Sequence, residues 1–395
     1  MEPLNPRFVS TFAPPVMEAR RWIAGKRFPA DRPLINLSQA APVEPPPKGL
    51  VHAMAEAMIS DPASHLYGPV LGLGALREEL AMQWSAGYGG RIHPDQVAIT
   101  AGCNQAFTAA MSTLAGAGDE VILPLPFYFN HKMWLDMEGV RAVTLPTGDD
   151  LLPDPAQAAA LITPRTRAIV LISPNNPAGV EYPPTLLRAF YDLARRHKLA
   201  LILDETYRDF HSGDGAPHDL FADPDWDTTL IHLYSFSKAY RLTGHRVGAI
   251  MAAAARLAEV EKFLDTVAIC PPQIGQIGAL WGMRNLGPWL ADERAEILAR
   301  RATITRAFAR LPDWRLLGCG AYFAYVQHPF GIASDVLAQR MVDEAGLLVL
   351  PGTMFGPRRA AGGTGQAEAS LRIAFANADQ AGLEEVVDRL TGLDP

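Results

Sequence analysis

Lys238 stands just beyond the largely apolar run 229–236, among Ser235, Ser237, Tyr240 and Thr243, with Arg246 eight positions further on. A lysine at the mouth of a sheet, desolvated and beside other cations, loses part of the advantage of its ammonium form. The neutral amine can then condense with a carbonyl to give a Schiff base. Arg246 offers a planar fork that matches a phosphate. Asp204 ends another apolar run, 200–203. A carboxylate there is costly to bury unless something pairs with it, and a protonated ring nitrogen would serve. Tyr207, and Asn176 within Ser173-Pro-Asn-Asn-Pro-Ala-Gly179, could both hydrogen-bond a phenolic oxygen on such a ring. The turn Ala101-Gly-Cys-Asn104 opens a helix, whose free N–H groups and positive end could receive a phosphate.

Taken singly, each residue also has a plainer role. Lysines are mostly surface residues. Asp204 could cap the segment that follows it, Asn176 could simply form a turn, and strand-to-helix turns like 101–104 are routine connections. Only their convergence on one place would overturn these readings.

The elements that must position them alternate. Short apolar runs at 96–100, 121–124, 141–145, 167–173, 200–204, 228–236 and 246–251 read as strands, several continuously apolar as strands covered on both faces must be. Helical spacing fills the gaps, at 49–60, 73–87, 104–114 and 185–197, the last preceded by Pro183-Pro184. This predicts an α/β fold, a mostly parallel sheet wrapped by helices, with the polar residues at the carboxyl ends of its strands, where ligands bind in such sheets. From about 279 to 311 the sequence reads as a long helical region broken at Gly287-Pro288. Strands then follow at 314–317, 322–327, 347–350 and 370–375, with helices at 334–345 and 380–390. These suit a smaller α+β domain. Residues 1–50, with Pro14-Pro15 and Pro45-Pro46-Pro47, are expected as an arm packing on another domain or subunit. The expected division is 1–48 as arm and part of the small domain, 49–278 as the large domain, and 279–395 as interdomain helix and small C-terminal domain.

Composition narrows the function classes. A chain of 395 residues, 49% hydrophobic and 19% charged, can bury a large core. Its net charge of −7, without a basic stripe, argues against nucleic acid as a partner. Cys103, Cys270 and Cys319 are far apart and form no metal-ligand spacing or disulfide framework, so no metal is expected. No secretory leader or membrane-length apolar window is evident, and the expectation is a soluble, cytoplasmic protein without membrane contact.

A Schiff-base lysine, a phosphate cradle with an arginine, an aspartate for a pyridinium and donors for a phenolate together describe pyridoxal 5′-phosphate. Ser173-Pro-Asn-Asn-Pro-Ala-Gly179, Asp204-x-x-Tyr207, Ser235-Phe-Ser-Lys238, Arg246 and Leu371-Arg372-Ile373 resemble, in order, the motifs of class I/II aminotransferases of pyridoxal-phosphate fold type I. The resemblance runs from about Pro33 to the C-terminus and makes 49–278 the cofactor domain. It implies that Lys238 holds the internal aldimine and then carries the proton between substrate Cα and cofactor, with Asp204 keeping the ring nitrogen protonated and Asn176 and Tyr207 on O3′. Gly102, Cys103, Asn104, Ser235, Ser237 and Arg246 would form the phosphate cup. Tyr128 would cover the pyridine face, or else be a core aromatic, and Tyr67 would reach the phosphate of a neighbouring subunit in a homodimer with shared sites.

Arg372, in the apolar strand Ser-Leu-Arg-Ile, requires an anion. By the resemblance it grips the substrate α-carboxylate beside Asn176 and Ala40; otherwise it forms a structural ion pair. Two departures from the family pattern are Ala40, where many relatives have glycine, and Cys103-Asn104 in the cup. His131, His232 and His245 are read as structural. The implied activity is ping-pong transfer of an amino group between an L-amino acid and a 2-oxo acid. The alternatives are a β-lyase of the cysteine-conjugate type on the same scaffold and, more remotely, the effector-binding domain of a regulator. Arg20, Arg21, Arg241 and Arg359 lie in site-near stretches, and none can be singled out for a dicarboxylic substrate. Phe12, Phe127, Tyr128 and Phe129 lean toward a pocket for bulky side chains.

Overall fold

Seven strands make the main sheet of the computed structural model, which describes residues 4–393. After β1 (Ile35–Asn36), discussed below, these are β2 (Val97–Thr100), β3 (Glu120–Pro124), β4 (Arg141–Leu145), β5 (Thr166–Ile172), β6 (Ala200–Asp204), β7 (Leu230–Ser235) and β8 (Gly248–Met251). Their order is β2-β8-β7-β6-β5-β3-β4, and only β8 runs against its neighbours. The reason for their apolar continuity is visible in the cores. Leu201 and Leu203 enter one hydrophobic cluster while Ala200 and Ile202 enter another, so alternate side chains of a single strand feed two separate layers of helices.

The direction of β8 has a functional consequence. The carboxyl ends of β2, β5, β6 and β7 and the amino end of β8 all lie at one edge of the sheet. Ala101–Asn104, Ser173–Asn176, Asp204–Tyr207, Ser235–Lys238 and Arg246 are therefore delivered to the same place.

A second sheet follows a helix at Gly287–Phe308. It is antiparallel, of β9 (Arg315–Gly320), β10 (Phe323–Gln327), β12 (Leu350–Pro351) and β13 (Ser370–Ile373), in the order β12-β13-β10-β9. Beside it, β11 (Leu347–Leu348) pairs in parallel with β1 of the N-terminal arm.

The arm is more structured than its prolines suggest. It carries α1 (Pro6–Ser10) and α2 (Pro15–Ile23), each with proline in the first turn, where the missing N–H costs nothing. Ala19 of α2 is buried with Val342, Leu348, Leu350, Phe355 and Phe129, so the arm packs on β11 and β12 and on the helix Phe129–Glu138 of its own chain. Then come α3 (Lys48–Ser60), α4 (Gly74–Tyr88) and α5 (Cys103–Ser112). The helical region expected from 279 instead begins at Gln273, in a helix Gln273–Asn285. Gly275 and Gly278 weaken its helical signal but let it pack closely: a Cβ on Gly275 would lie 2.5 Å from the His245 carbonyl oxygen, and one on Gly278 2.7 Å from the Met54 sulfur. Helices at Phe129–Glu138 and Ala254–Ala268, for which no range is read from the sequence, add to the layers.

Candidate active site

A cavity of about 640 Å³ opens at that edge of the large sheet, and Lys238, Asp204, Arg246 and Arg372 all line it. Lys238 sits on a single turn, Phe236–Ala239, begun by Ser235, whose hydroxyl accepts from the Ser237 N–H. Its Nζ donates to the Ala40 carbonyl oxygen at 2.6 Å. Burial, reinforced by Arg246 and Arg372, brings its pKa down to about 7. An uncharged amine is thus available near neutrality, as the plainer role of a surface lysine would not require.

Arg246 occupies the left-handed region (φ 51°), a conformation uncommon for a branched-free but bulky side chain. Its Nη1 donates to the Thr243 carbonyl at 3.0 Å and lies 3.5 Å from the Ser237 hydroxyl. Among the described residues it has no carboxylate partner. Gly102, at φ 88°, lies directly against it: a Cβ there would stand 2.1 Å from Nη2. Gly102 is also the N-cap of α5, so the free N–H groups of that helix and the guanidinium face a common hollow with Cys103, Asn104, Ser235 and Ser237 on its wall.

Asp204 is 4% exposed. Burial raises its pKa, against the effect of hydrogen bonds from Thr206 and Cys103. The Thr206 N–H reaches Oδ1 at 2.9 Å, and the Cys103 thiol at 3.7 Å. His131 Nε2 stands 3.6 Å from Oδ2, its ring stacked on Phe107 with centroids 3.8 Å apart. Burial drives the His131 pKa down to about 3, so it is neutral and does not neutralise the aspartate. The carboxylate has donors but, among the described residues, no cation.

Arg372 is 2% exposed and lies between the rings of Phe323 and Phe355, at 5.0 and 4.9 Å. Nη1 donates to Asn176 Oδ1 at 2.9 Å and Nη2 to the Ser38 carbonyl, while Nε has no partner. A structural ion pair is ruled out among the described residues. A buried guanidinium with no acid beside it is poised for an anion from outside.

The class I and II aminotransferase model matches residues 32–390. The chain belongs to that family. It is 31% identical to the arginine–pyruvate transaminase of Pseudomonas aeruginosa over 83% of this chain and 84% of that one. To an aromatic aminotransferase of Arabidopsis thaliana it is 28% identical, over 89% of both. Among solved structures, a Thermus thermophilus aspartate aminotransferase superposes with a TM-score of 0.88 over 99% of both chains at 23% identity, which establishes the fold. An aromatic aminotransferase of Pyrococcus horikoshii does so with 0.83, over 95% of this chain and 97% of that one, at 25% identity.

This aminotransferase, like its family, depends on pyridoxal phosphate, and the residues present fit that group. The hollow at Gly102 would be filled by any side chain, the Arg246 guanidinium beside it lacks an anion, and Asp204 lacks a cation. Tyr128 and Tyr207 also line the cavity; Asn130 donates to the Tyr128 hydroxyl at 2.9 Å. Asn176 lines the cavity too, and its Oδ1 accepts from Arg372. Ala40 lines the cavity and is buried. Tyr67 is apart from the cavity and 78% exposed.

Sequence reasoning missed Thr206 and Gln39, which line the cavity, did not single out Arg20, which lines it too, and gave His131 no place beside Asp204. Of the four aromatics read as a bulky pocket, Tyr128 and Phe129 line it, whereas Phe12 and Phe127 do not.

Proposed function

We propose that this aminotransferase exchanges an amino group between an L-amino acid and a 2-oxo acid, by alternating half-reactions, at the cavity containing Lys238. The observation that carries the reading is that one cavity holds an amine depressed to about 7, a buried carboxylate with no cation beside it and, at Arg246 and Arg372, guanidinium groups without acids among the described residues. Arg246, with Gly102, Cys103, Asn104, Ser235 and Ser237, would hold the cofactor phosphate, Asp204 its ring nitrogen, and Tyr207 and Asn176 its phenolic oxygen. When bound, the cofactor supplies an aldehyde carbon for the amino group and a ring that withdraws electrons from the substrate Cα.

The protein's own residues do the rest. Arg372 binds the α-carboxylate through a fork already oriented by Asn176 and Ser38. Lys238, once its amine is free, takes the proton from Cα as a base whose pKa matches the working pH. Asp204 stays ionised because a cation faces it, and in doing so holds a proton on the ring nitrogen. Borohydride reduction of the yellow holoenzyme followed by peptide mapping should place the cofactor on Lys238. Labelling at another lysine would refute the assignment. A panel of amino acids read by loss of the yellow absorbance would then rank donors.

We further infer a homodimer with shared sites. Support comes from exposed apolar residues on adjoining segments: Ile59, Leu66 and Tyr67 on one, Val267 and Ile269 on the other, joined by a contact between the Gly68 N–H and Cys270 Sγ at 3.4 Å. Tyr67 would reach the partner's phosphate. Mixing inactive Tyr67→Ala and Lys238→Ala variants should then restore part of the activity, and no recovery would count against shared sites. The division at 48 and 278, and a reducing cytoplasm for three free cysteines, belong to the same reading. No helix among the described residues is long and apolar enough to cross a membrane.

A further inference from the structure

Four arginines lay near the site in sequence, and the structure separates them. Arg21 pairs with Glu18. Arg241 is held by both oxygens of Glu293 and by Glu44. Arg359 does not line the cavity, whereas Arg20 does, and no carboxylate lies within ion-pair distance of it among the described residues. Arg20 instead donates from Nη2 to Gln39 Oε1 at 2.9 Å.

Gln39 fixes where this guanidinium sits relative to the chemistry. Its neighbours Ser38 and Ala40 offer their carbonyl oxygens to Arg372 and Lys238 respectively. Three consecutive residues of the arm thus touch three cations of one cavity. A substrate with its α-carboxylate on Arg372 and its Cα near Lys238 has its side chain left to place. The wall contributed by α2 presents Pro15, Val16 and Met17 and then Arg20, an apolar stretch suited to methylenes ending in a positive charge. Among the described residues, Asp204 is the only carboxylate lining the cavity, and it is committed to the ring. A cationic side chain would find no counter-charge.

Building on the transaminase reading above, we propose that Arg20 is a specificity-determining residue that receives the distal carboxylate of a dicarboxylic amino acid or 2-oxo acid. Gln39 holds it at the rim until the substrate carboxylate displaces that bond. A fork-to-carboxylate pair in a partly enclosed pocket favours the acidic substrate over a neutral one of similar length.

The test compares wild-type and Arg20→Ala holoenzymes on glutamate and on alanine, with calorimetric titration of glutarate and butyrate as a readout free of turnover. The ratio of kcat/KM for glutamate to that for alanine should fall at least about tenfold in the variant, and the preference for glutarate over butyrate should fall with it. Arg20→Lys should keep part of the preference, since the charge remains while the fork is lost. Equal ratios in wild type and variant would overturn the proposal, as would a wild type that prefers alanine. A wild type inactive on both donors and on the wider panel would instead overturn the transaminase reading.

Discussion

Asp204 and Glu205 are adjacent in sequence, both buried at the tip of β6, and they face opposite ways. Asp204 turns into the cavity, where its donors are neutral and no cation meets it. Glu205 turns into the core, where its Oε2 accepts from Tyr88, from His232 Nε2 at 2.6 Å, and lies 3.4 Å from His218 Nε2. Burial works to raise the Glu205 pKa, but His218 and His232 hold it well below the usual carboxylate range. These three groups have the composition of a metal site. However, His218 Nδ1 accepts the Leu220 N–H at 3.1 Å, which puts the ring proton on Nε2, facing the carboxylate. Tyr88 and His232 thus tie Oε2 into the core, while Glu205 Oε1 and His232 Nδ1 have no partner among the described residues. One carboxylate has two histidines beside it within the fold; the other meets no cation among the described residues, and that incompleteness is what a ligand can use.

The contrast can be broken by substitution. Asp204→Asn should lower kcat by at least about 10²-fold, because a neutral amide cannot hold a proton on the ring. The apoprotein should be no less stable in urea, and more stable by about 1 kcal/mol, because an uncompensated buried charge is removed. Glu205→Gln should do the reverse. Losing the anion beneath two histidines and a tyrosine should cost about 3 kcal/mol in denaturant unfolding, with kcat per folded molecule within a fewfold. If Asp204→Asn destabilised as much as Glu205→Gln, the distinction between the two faces would fail.

Lys238 sharpens the comparison with a smaller effect. Its pKa in the fold lies below that of an unfolded lysine, so between about 7 and the ordinary lysine value the unfolded chain binds more protons. Apoprotein stability should therefore rise with pH across that window from this group, and its burial cost should be constant below it. Competitive acylation of the apoprotein should show Lys238 reacting with an apparent pKa near 7. A value near 10 would mean that the amine is not desolvated.

Much of the site was legible because each motif sits at the end of an apolar strand, and a parallel sheet gathers such ends together. What the sequence could not show are residues placed by packing. His131 reaches Asp204 from a helix whose apolar pattern is weak, Phe129–Glu138, stacked there by Phe107. Arg20 arrives on α2, in a proline-rich stretch without a helical signature longer than nine residues. The helix Gln273–Asn285 began earlier than expected because its glycines, which lower helix propensity, are where its neighbours press closest.

The carbonyl of Ala40 that meets Lys238 belongs to a stretch anchored elsewhere, since β1 is hydrogen-bonded to β11 and the Ala374 N–H to the Leu37 carbonyl. Lys238 and Arg372 therefore come from parts of the chain that fold around different cores. Readiness to react is a property of their registration, and a nick between α2 and β1 could leave an enzyme that still colours yellow yet no longer chooses among amino acids.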